Sequence, residues 1–300
     1  MKIPPSLIPG NCIAIVAPAK IIHPKEIEYA IQEIESRGFK VQLGENLFNS
    51  WNRFAGTDEE RLLDLQSAID NPEIHAILFA RGGYGSVRLI DQLDFSRFEE
   101  SPKWIIGYSD ITVFHNHINA NSNVATCHGT MTINMIEAGE EKKSTSKMLD
   151  LISGIQTEVT FPHYSLNKIG SCRGEVFGGN LSVLNSLIGT NSMVNPNGKI
   201  LFIEDLCEEL YHLDRMLYQL KKAQVLDSIS GLLVGSFTDM TDVSNWFGKE
   251  TALEIIKKHT LELDIPIAFN FPAGHQSRNY PLVMGKDYSL VVSNKESCLK

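Results

Sequence analysis

A serine, a glutamate and a histidine, far apart in the chain, sit where side chains can do chemistry. Ser109 stands in WIIGYSDIT, at the corner where a buried strand turns into a helix. Two jobs are open to a serine there. It can cap the helix by accepting from backbone N–H groups. It can also act as a nucleophile, given a base within hydrogen-bond reach and a third group that orients the base. Only the first glycine of G-x-S-x-G is present, Gly107, so the motif does not choose between them and does not support an α/β-hydrolase fold. Glu204 ends an otherwise apolar run, KILFIEDL. A carboxylate at the end of a buried strand needs a partner. Arg215 could supply one, and an imidazole could equally. Asp205 should point to the opposite face of a continuing strand. His275 follows a strand and lies in a Gly/Pro loop, FNFPAGHQSRNYP, where functional residues concentrate.

A second feature is ARGGYGS, residues 80–86. Gly82, Gly83 and Gly85 allow backbone N–H groups to face outward, as an anion or oxyanion site requires. A tight turn with positive φ explains the same glycines. The run does not complete G-x-G-x-x-G, because position 88 is arginine, so a dinucleotide site is not indicated. His115 and His117 are two apart on a predicted helix and cannot face one ligand. His128, in CHGTM, is a further loop histidine that stays a candidate. The other five histidines read as surface or turn residues. No His-Glu-x-x-His or other ligand-spaced cluster is present, so metal catalysis is not expected and no cofactor is called for.

These residues need a scaffold. CIAIVAPA is a short apolar, β-branched run expected as a buried parallel strand. A helix with Ile27, Ala30, Ile31 and Ile34 on one side follows, with Gly38 at its stop. FKVQLG is a second strand. Thr57 and Glu60 form a capping-box pattern ahead of a helix that ends before Pro72. IHAILF is a third strand, GSVRLIDQLD a helix, and KWIIG a fourth strand. Alternating strands and helices imply a parallel sheet covered on both faces, with sites at the carboxyl ends of its strands. Both glycine-containing turns, 81–85 and 107–110, fall on that edge. From about residue 150 the texture changes to short strand-like runs with Gly, Pro and Ser. Further strands are expected at KILFIEDL, ISGLLVGSF and IPIAFNF, helices at 209–227 and 248–264, and YSLVVSN as a closing edge strand. The reading divides the chain into an N-terminal α/β domain (1–150), a linker (151–175) and a β-rich C-terminal domain (176–300).

Composition excludes several classes. The chain has 300 residues, a formal net charge of -9, 43% hydrophobic and 21% charged residues, ordinary values for a globular protein of about two domains. The acidic balance argues against a nucleic-acid partner. No run reaches the roughly 20 apolar residues of a membrane span, and the proline-broken N-terminus does not read as a signal peptide, so a cytoplasmic location is expected. The five scattered cysteines suggest neither a disulfide framework nor a zinc site.

Taken in order, IAIVAPA, FAGTDEERLLDLQSAI, ILFARGGYG, IIGYSDIT, CHGT, FGGNLSVL, LFIEDLCEELYHLDRML, GLLVGSFTD and FPAGHQSRNYPLVMG run through nearly the whole chain. Together they resemble the LD-carboxypeptidase family of serine peptidases, which includes muramoyltetrapeptide carboxypeptidases and the microcin C immunity peptidases. The resemblance implies a Rossmann-like or flavodoxin-like N-terminal sheet followed by a smaller, β-rich α/β domain of swivelling type. It implies Ser109 as nucleophile, His275 as base and Glu204 as its orienting partner. It places oxyanion donors on the N–H groups of Asp110 and Gly83. Tyr84 and Asn180 are the expected substrate contacts, although packing and turn stabilisation account for them as well. The implied substrate is a cytoplasmic muropeptide tetrapeptide that loses its terminal D-Ala. The alternatives are a microcin-type peptidyl-nucleotide, with Trp246 as a base platform, or a non-catalytic muropeptide binder. A homodimer is also implied. Two local departures from the family pattern, Ala19 after Pro18 and Thr130 after His128-Gly129, lie outside the three catalytic positions.

Overall fold

The computed structural model describes residues 1–155 and 158–300. In the first half the strands are β1 (Cys12–Val16), β2 (Lys40–Leu43), β3 (Ile74–Phe79), β4 (Trp104–Gly107) and β5 (Thr126–His128). The helices are α1 (Glu28–Ser36), α2 (Asp58–Asp70), α3 (Ser96–Glu100), α4 (Thr112–Asn121) and α5 (Gly139–Ile152). The second half adds β6 (Val159–Pro162), β7 (Gly170–Asn180), β8 (Ile200–Leu206), β9 (Gly231–Thr238), β10 (Ile267–Ala268), β11 (Leu282–Met284), β12 (Asp287–Val292) and β13 (Glu296–Leu299). Its helices are α6 (Leu181–Leu187), α7 (Leu210–Lys222), α8 (Val225–Ser228) and α9 (Ala252–Thr260).

The first sheet has the order β2-β1-β3-β4-β5, all parallel, which is the flavodoxin-like order with its switch point between β1 and β3. Strand periodicity sorts its two faces. Ile13 and Ile15 share one buried cluster with Ala30 and Ile34 of α1 and Met148, Leu149 and Ile152 of α5. Ala14 and Val16 face the other side, with Leu65, Ala68 and Ile69 of α2 and Phe114 and Ile118 of α4. The expected capping box opens α2: Glu60 N–H donates to Thr57 Oγ1 at 3.3 Å, and Thr57 N–H donates to Glu60 Oε2 at 2.8 Å.

Several elements differ from expectation. GSVRLIDQLD forms two 3-10 turns, Ser86–Arg88 and Ile90–Gln92, rather than an α-helix. Its start is anchored sideways: Ser86 N–H donates to Asp110 Oδ2 at 2.9 Å, and Arg88 Nε donates to Asp58 Oδ2 at 2.9 Å. The edges of the sheets also differ. β11 pairs antiparallel with β5 and completes the first sheet, although it lies within residues 176–300. β12, the YSLVVSN strand, is interior in the second sheet, whose order is β10-β9-β8-β7-β12-β13-β6. β7 begins at Gly170, inside the segment expected as linker. The chain thus returns to its first sheet near its end. No described helix is long and apolar enough to cross a membrane.

In the second sheet β10, β9, β8 and β7 run parallel and β12, β13 and β6 antiparallel. Along β8 the residues alternate. Leu201 and Ile203 pack with Leu213, Leu217 and Leu220 of α7, whereas Ile200 and Phe202 belong to the same buried cluster as Ile13, Leu78 and Ile106 of the first sheet. One face of the second sheet is therefore packed against the first unit. The seam between them is close. Asn180 N–H donates to Thr112 Oγ1 at 2.9 Å, and Asn116 Nδ2 donates to the Gly178 carbonyl at 2.9 Å. Gly179 has φ of +129°, and a Cβ there would stand 2.5 Å from Thr112 Oγ1. Replacing it combines backbone strain with a clash against α4. We expect Gly179→Ala to lower unfolding stability by about 2 kcal/mol or more, read as a drop in the urea midpoint. An unchanged midpoint would show that the seam tolerates separation.

Candidate active site

Ser109 follows β4 after one extended residue, Tyr108. Its φ is +65°, in the left-handed region that non-glycine residues seldom occupy and that is found where function over-determines the backbone. Its side chain does not cap: neither the 3-10 turn Ser109–Ile111 nor α4 has a side-chain cap bond. The corner is braced from beneath. His115 is fully buried, and burial pushes its imidazole down to about 4, so it is neutral at pH 7. Nε2–H can then donate to the Gly107 carbonyl at 2.9 Å while Nδ1 accepts from Thr126 Oγ1 at 2.8 Å. The bond from Ser86 N–H to the buried Asp110 carboxylate ties the serine corner to the glycine turn after β3.

Glu204 lies on β8 with Ile200 and Phe202, on the face turned to the first sheet. It is fully buried, at 0% exposure. His275 Nδ1–H donates to its Oε2 at 2.7 Å. The choice left open in the sequence is thereby settled: the partner is the imidazole, and Arg215 lies instead over the Tyr211 ring at 5.4 Å. Asp205 takes the opposite face, as strand alternation requires. It accepts from Asn180 Nδ2 at 2.8 Å and from Ser182 N–H at 2.9 Å, and burial followed by the Glu204 charge pushes it up to about 6. Burial pulls the His275 imidazole down, but the charge and hydrogen bond of Glu204, with a contribution from Asp205, outweigh it and leave the group above its ordinary value.

The loop carrying His275 is fixed by neutral groups. Gly274 N–H donates to Asn279 Oδ1 at 2.9 Å, and His128 Nε2 lies 3.3 Å from the same oxygen. Thr238 Oγ1 donates to the His275 carbonyl at 3.0 Å. The Tyr108 ring stands 4.8 Å from the imidazole, centroid to centroid, and its hydroxyl donates to Asn134 Oδ1 at 3.1 Å. His128 is thus a buried support for the His275 loop, at the end of β5 and edge-on to Phe202 at 5.0 Å.

Ser109 and His275 line one cavity of about 400 Å³, with Gly82 and Gly83 on its wall. Because Nδ1 is held by Glu204, Nε2 is the ring nitrogen left to serve the hydroxyl. Gly82 packs directly on the serine: a Cβ there would stand 3.3 Å from Ser109 Oγ. The next peptide unit carries the Gly83 N–H. Asp110 N–H lies in the first turn of a helix, at a position without an intrahelical acceptor. Both expected donors are therefore in the vicinity of Ser109. The two expected substrate contacts fall elsewhere. Tyr84 is 56% exposed and faces a neighbouring cavity of about 370 Å³, beside Phe54 and Lys20. Asn180 is buried with both ends of its amide engaged: Oδ1 accepts from Val183 N–H at 3.1 Å, capping α6, and Nδ2 reaches Asp205. The sequence reasoning missed Tyr108, Asn134, Lys20 and Arg81 as cavity residues. For Lys20 and Arg81 a signal existed, since each follows a parallel strand at its carboxyl end.

Comparison with known proteins agrees with this arrangement. The profile of the LD-carboxypeptidase N-terminal domain matches residues 13–129, and that of the LD-carboxypeptidase C-terminal domain matches residues 173–290. A probable murein peptide carboxypeptidase of Bacillus subtilis is 34% identical over 302 residues, covering 99% of this chain and 94% of the relative. A murein tetrapeptide carboxypeptidase of Pseudomonas aeruginosa is 33% identical, covering 91% of each chain. The crystal structure of muramoyltetrapeptide carboxypeptidase from Oxalobacter formigenes superposes with a TM-score of 0.87 at 27% identity, over 96% of this chain and 98% of that one. On this evidence the chain belongs to the LD-carboxypeptidase family of serine-type peptidases.

Proposed function

We propose that this protein hydrolyses the L,D amide bond that joins the terminal D-Ala to a muropeptide tetrapeptide, in the cytoplasm and as a homodimer, through an acyl-enzyme on Ser109. The observation that carries the reading is the 2.7 Å bond from His275 Nδ1 to the buried Glu204, with the imidazole and Ser109 lining one cavity. The names of the B. subtilis, P. aeruginosa and O. formigenes relatives support the substrate class.

In this mechanism His275 Nε2 takes the Ser109 hydroxyl proton as Oγ attacks the carbonyl carbon. Glu204 holds the imidazole in the Nδ1–H tautomer and stabilises the imidazolium that forms. The N–H groups of Asp110 and Gly83 face the oxyanion, each contributing roughly 3–4 kcal/mol to lowering the barrier. Collapse breaks the C–N bond, and the imidazolium gives its proton to the departing amine of D-Ala. Water repeats the sequence to release the tripeptide. The peptidyl-nucleotide alternative has less support here: Trp246, its expected base platform, is 74% exposed and does not line the Ser109 cavity.

Ser109→Ala should lower kcat for D-Ala release from the tetrapeptide by about a thousandfold or more with the fold intact; undiminished release removes the nucleophile. The base must be neutral to accept a proton, and Glu204 raises its pKa. kcat/KM should therefore fall on the acid side with an apparent pKa above 6.5, the ordinary value for histidine. Glu204→Gln removes the group that raises it and leaves the burial that lowers it. That variant should be slower by on the order of 10³ to 10⁴ and should show its acid limb at lower pH. A pH profile unchanged by the substitution would separate Glu204 from the base.

A further inference from the structure

The charges around Ser109 are one-sided. The chain carries a net charge of -9, yet the cavity around Ser109 is lined by two cations, Lys20 and Arg81, and by no carboxylate. Lys20 follows β1 and Arg81 follows β3, so the two flank the switch point of the sheet, where ligands of open α/β sheets bind. Among the described residues neither forms an ion pair: the Lys20 ammonium has no hydrogen bond, and Arg81 makes a single one, from Nη1 to the Ile21 carbonyl at 3.0 Å. The fold keeps room for the lysine stem. Gly83 has φ of +125°, and a Cβ on it would stand 2.7 Å from Lys20 Cγ and 2.8 Å from Cδ. The stem therefore lies across the turn whose N–H groups face the oxyanion. Beyond Tyr108 and His275 the polarity reverses. A second cavity, of about 250 Å³, shares Tyr108, Asn134 and His275 with the first, and Glu141 is the acid on its wall.

A serine triad alone does not choose between the last peptide bond of a chain and an internal one. The last bond lies one residue from a free carboxylate, about 3.8 Å of chain. An unpaired cation beside the nucleophile is the group that can measure that distance. We propose that Lys20, assisted by Arg81, binds the terminal carboxylate of the substrate and so makes the enzyme remove one residue from a free C-terminus. The acyl part then runs across Tyr108 toward Glu141, where a substrate ammonium would be matched. This assignment rests on the reading of Ser109 as the nucleophile of a carboxypeptidase. Lys20 is a binding residue in it and transfers no proton.

The test pairs two substrates with two enzymes: the tetrapeptide with its free D-Ala carboxylate and the same peptide ending in a carboxamide, each with wild type and with Lys20→Met, which keeps most of the stem. A charge-assisted contact of this kind is worth about ten- to a hundredfold. Wild type should cleave the carboxamide slower by that factor, chiefly through KM. Lys20→Met should slow the free acid by a similar factor and the carboxamide by much less, and Lys20→Arg should restore the preference for the acid. Equal wild-type rates on the two substrates, or an equal loss on both in Lys20→Met, would overturn the assignment while leaving the carboxypeptidase reading intact. Absence of release from either substrate by wild type would overturn both. Labelling of Ser109 by a fluorophosphonate at the wild-type rate, with an unchanged melting temperature, separates lost binding from lost folding.

Discussion

The seam between α4 and the end of β7 is the constraint on which the site depends. Ser109 belongs to the first sheet, whereas Glu204 and the loop of His275 belong to the second. Their meeting requires the backbone of Gly178, Gly179 and Asn180 to lie against Thr112 and Asn116, three and seven residues after the serine. Two hydrogen bonds and a missing side chain set that approach. The return of β11 to the edge of the first sheet adds a second tie, immediately after the loop of His275. Because buried clusters run across both sheets, a change in the angle between them would have to repack Phe202 and its neighbours.

Around Ser109, charge is placed sparingly. His115 and His128 are buried and held neutral, with burial taking them to about 4 and about 3. They can brace the corner after β4 and the His275 loop without competing for protons. Glu204 is the buried carboxylate that engages the imidazole, and the bond to His275 offsets part of the cost of its burial. Asp205, one residue on, serves structure on the other face by ordering Asn180 and the start of α6. The cations Lys20 and Arg81 line the same cavity as Ser109 and His275, and neither forms an ion pair among the described residues.

Much of this was legible in sequence because it is local. The parallel strands, the alternation with helices, the capping box at Thr57 and the glycine stop at Gly38 each depend on neighbours within a few residues. Strand alternation alone separated Glu204 from Asp205. What misled was also local. Periodicity favoured a helix over GSVRLIDQLD, but Asp110 and Asp58 hold that segment from outside. In FGGN the turn-stabilising reading, open from the start, describes Asn180, which spends its amide on a helix cap and on Asp205. YSLVVSN looked like an edge because the strands that flank it, β7 and β13, are set by pairings no local pattern records.

By itself the sequence determined the residue types of the candidate site, their order Ser, Glu, His, and the strand ends and turns that present them, since side-chain period and turn geometry follow from the chain alone. Only the tertiary structure decided that Glu204 meets His275 rather than Arg215, that Ser109 takes a left-handed backbone instead of capping a helix, and that Lys20 lines the same cavity without an ion pair among the described residues. Those outcomes depend on which distant groups share a buried volume. That is a property of how the two sheets pack and not of any segment within them.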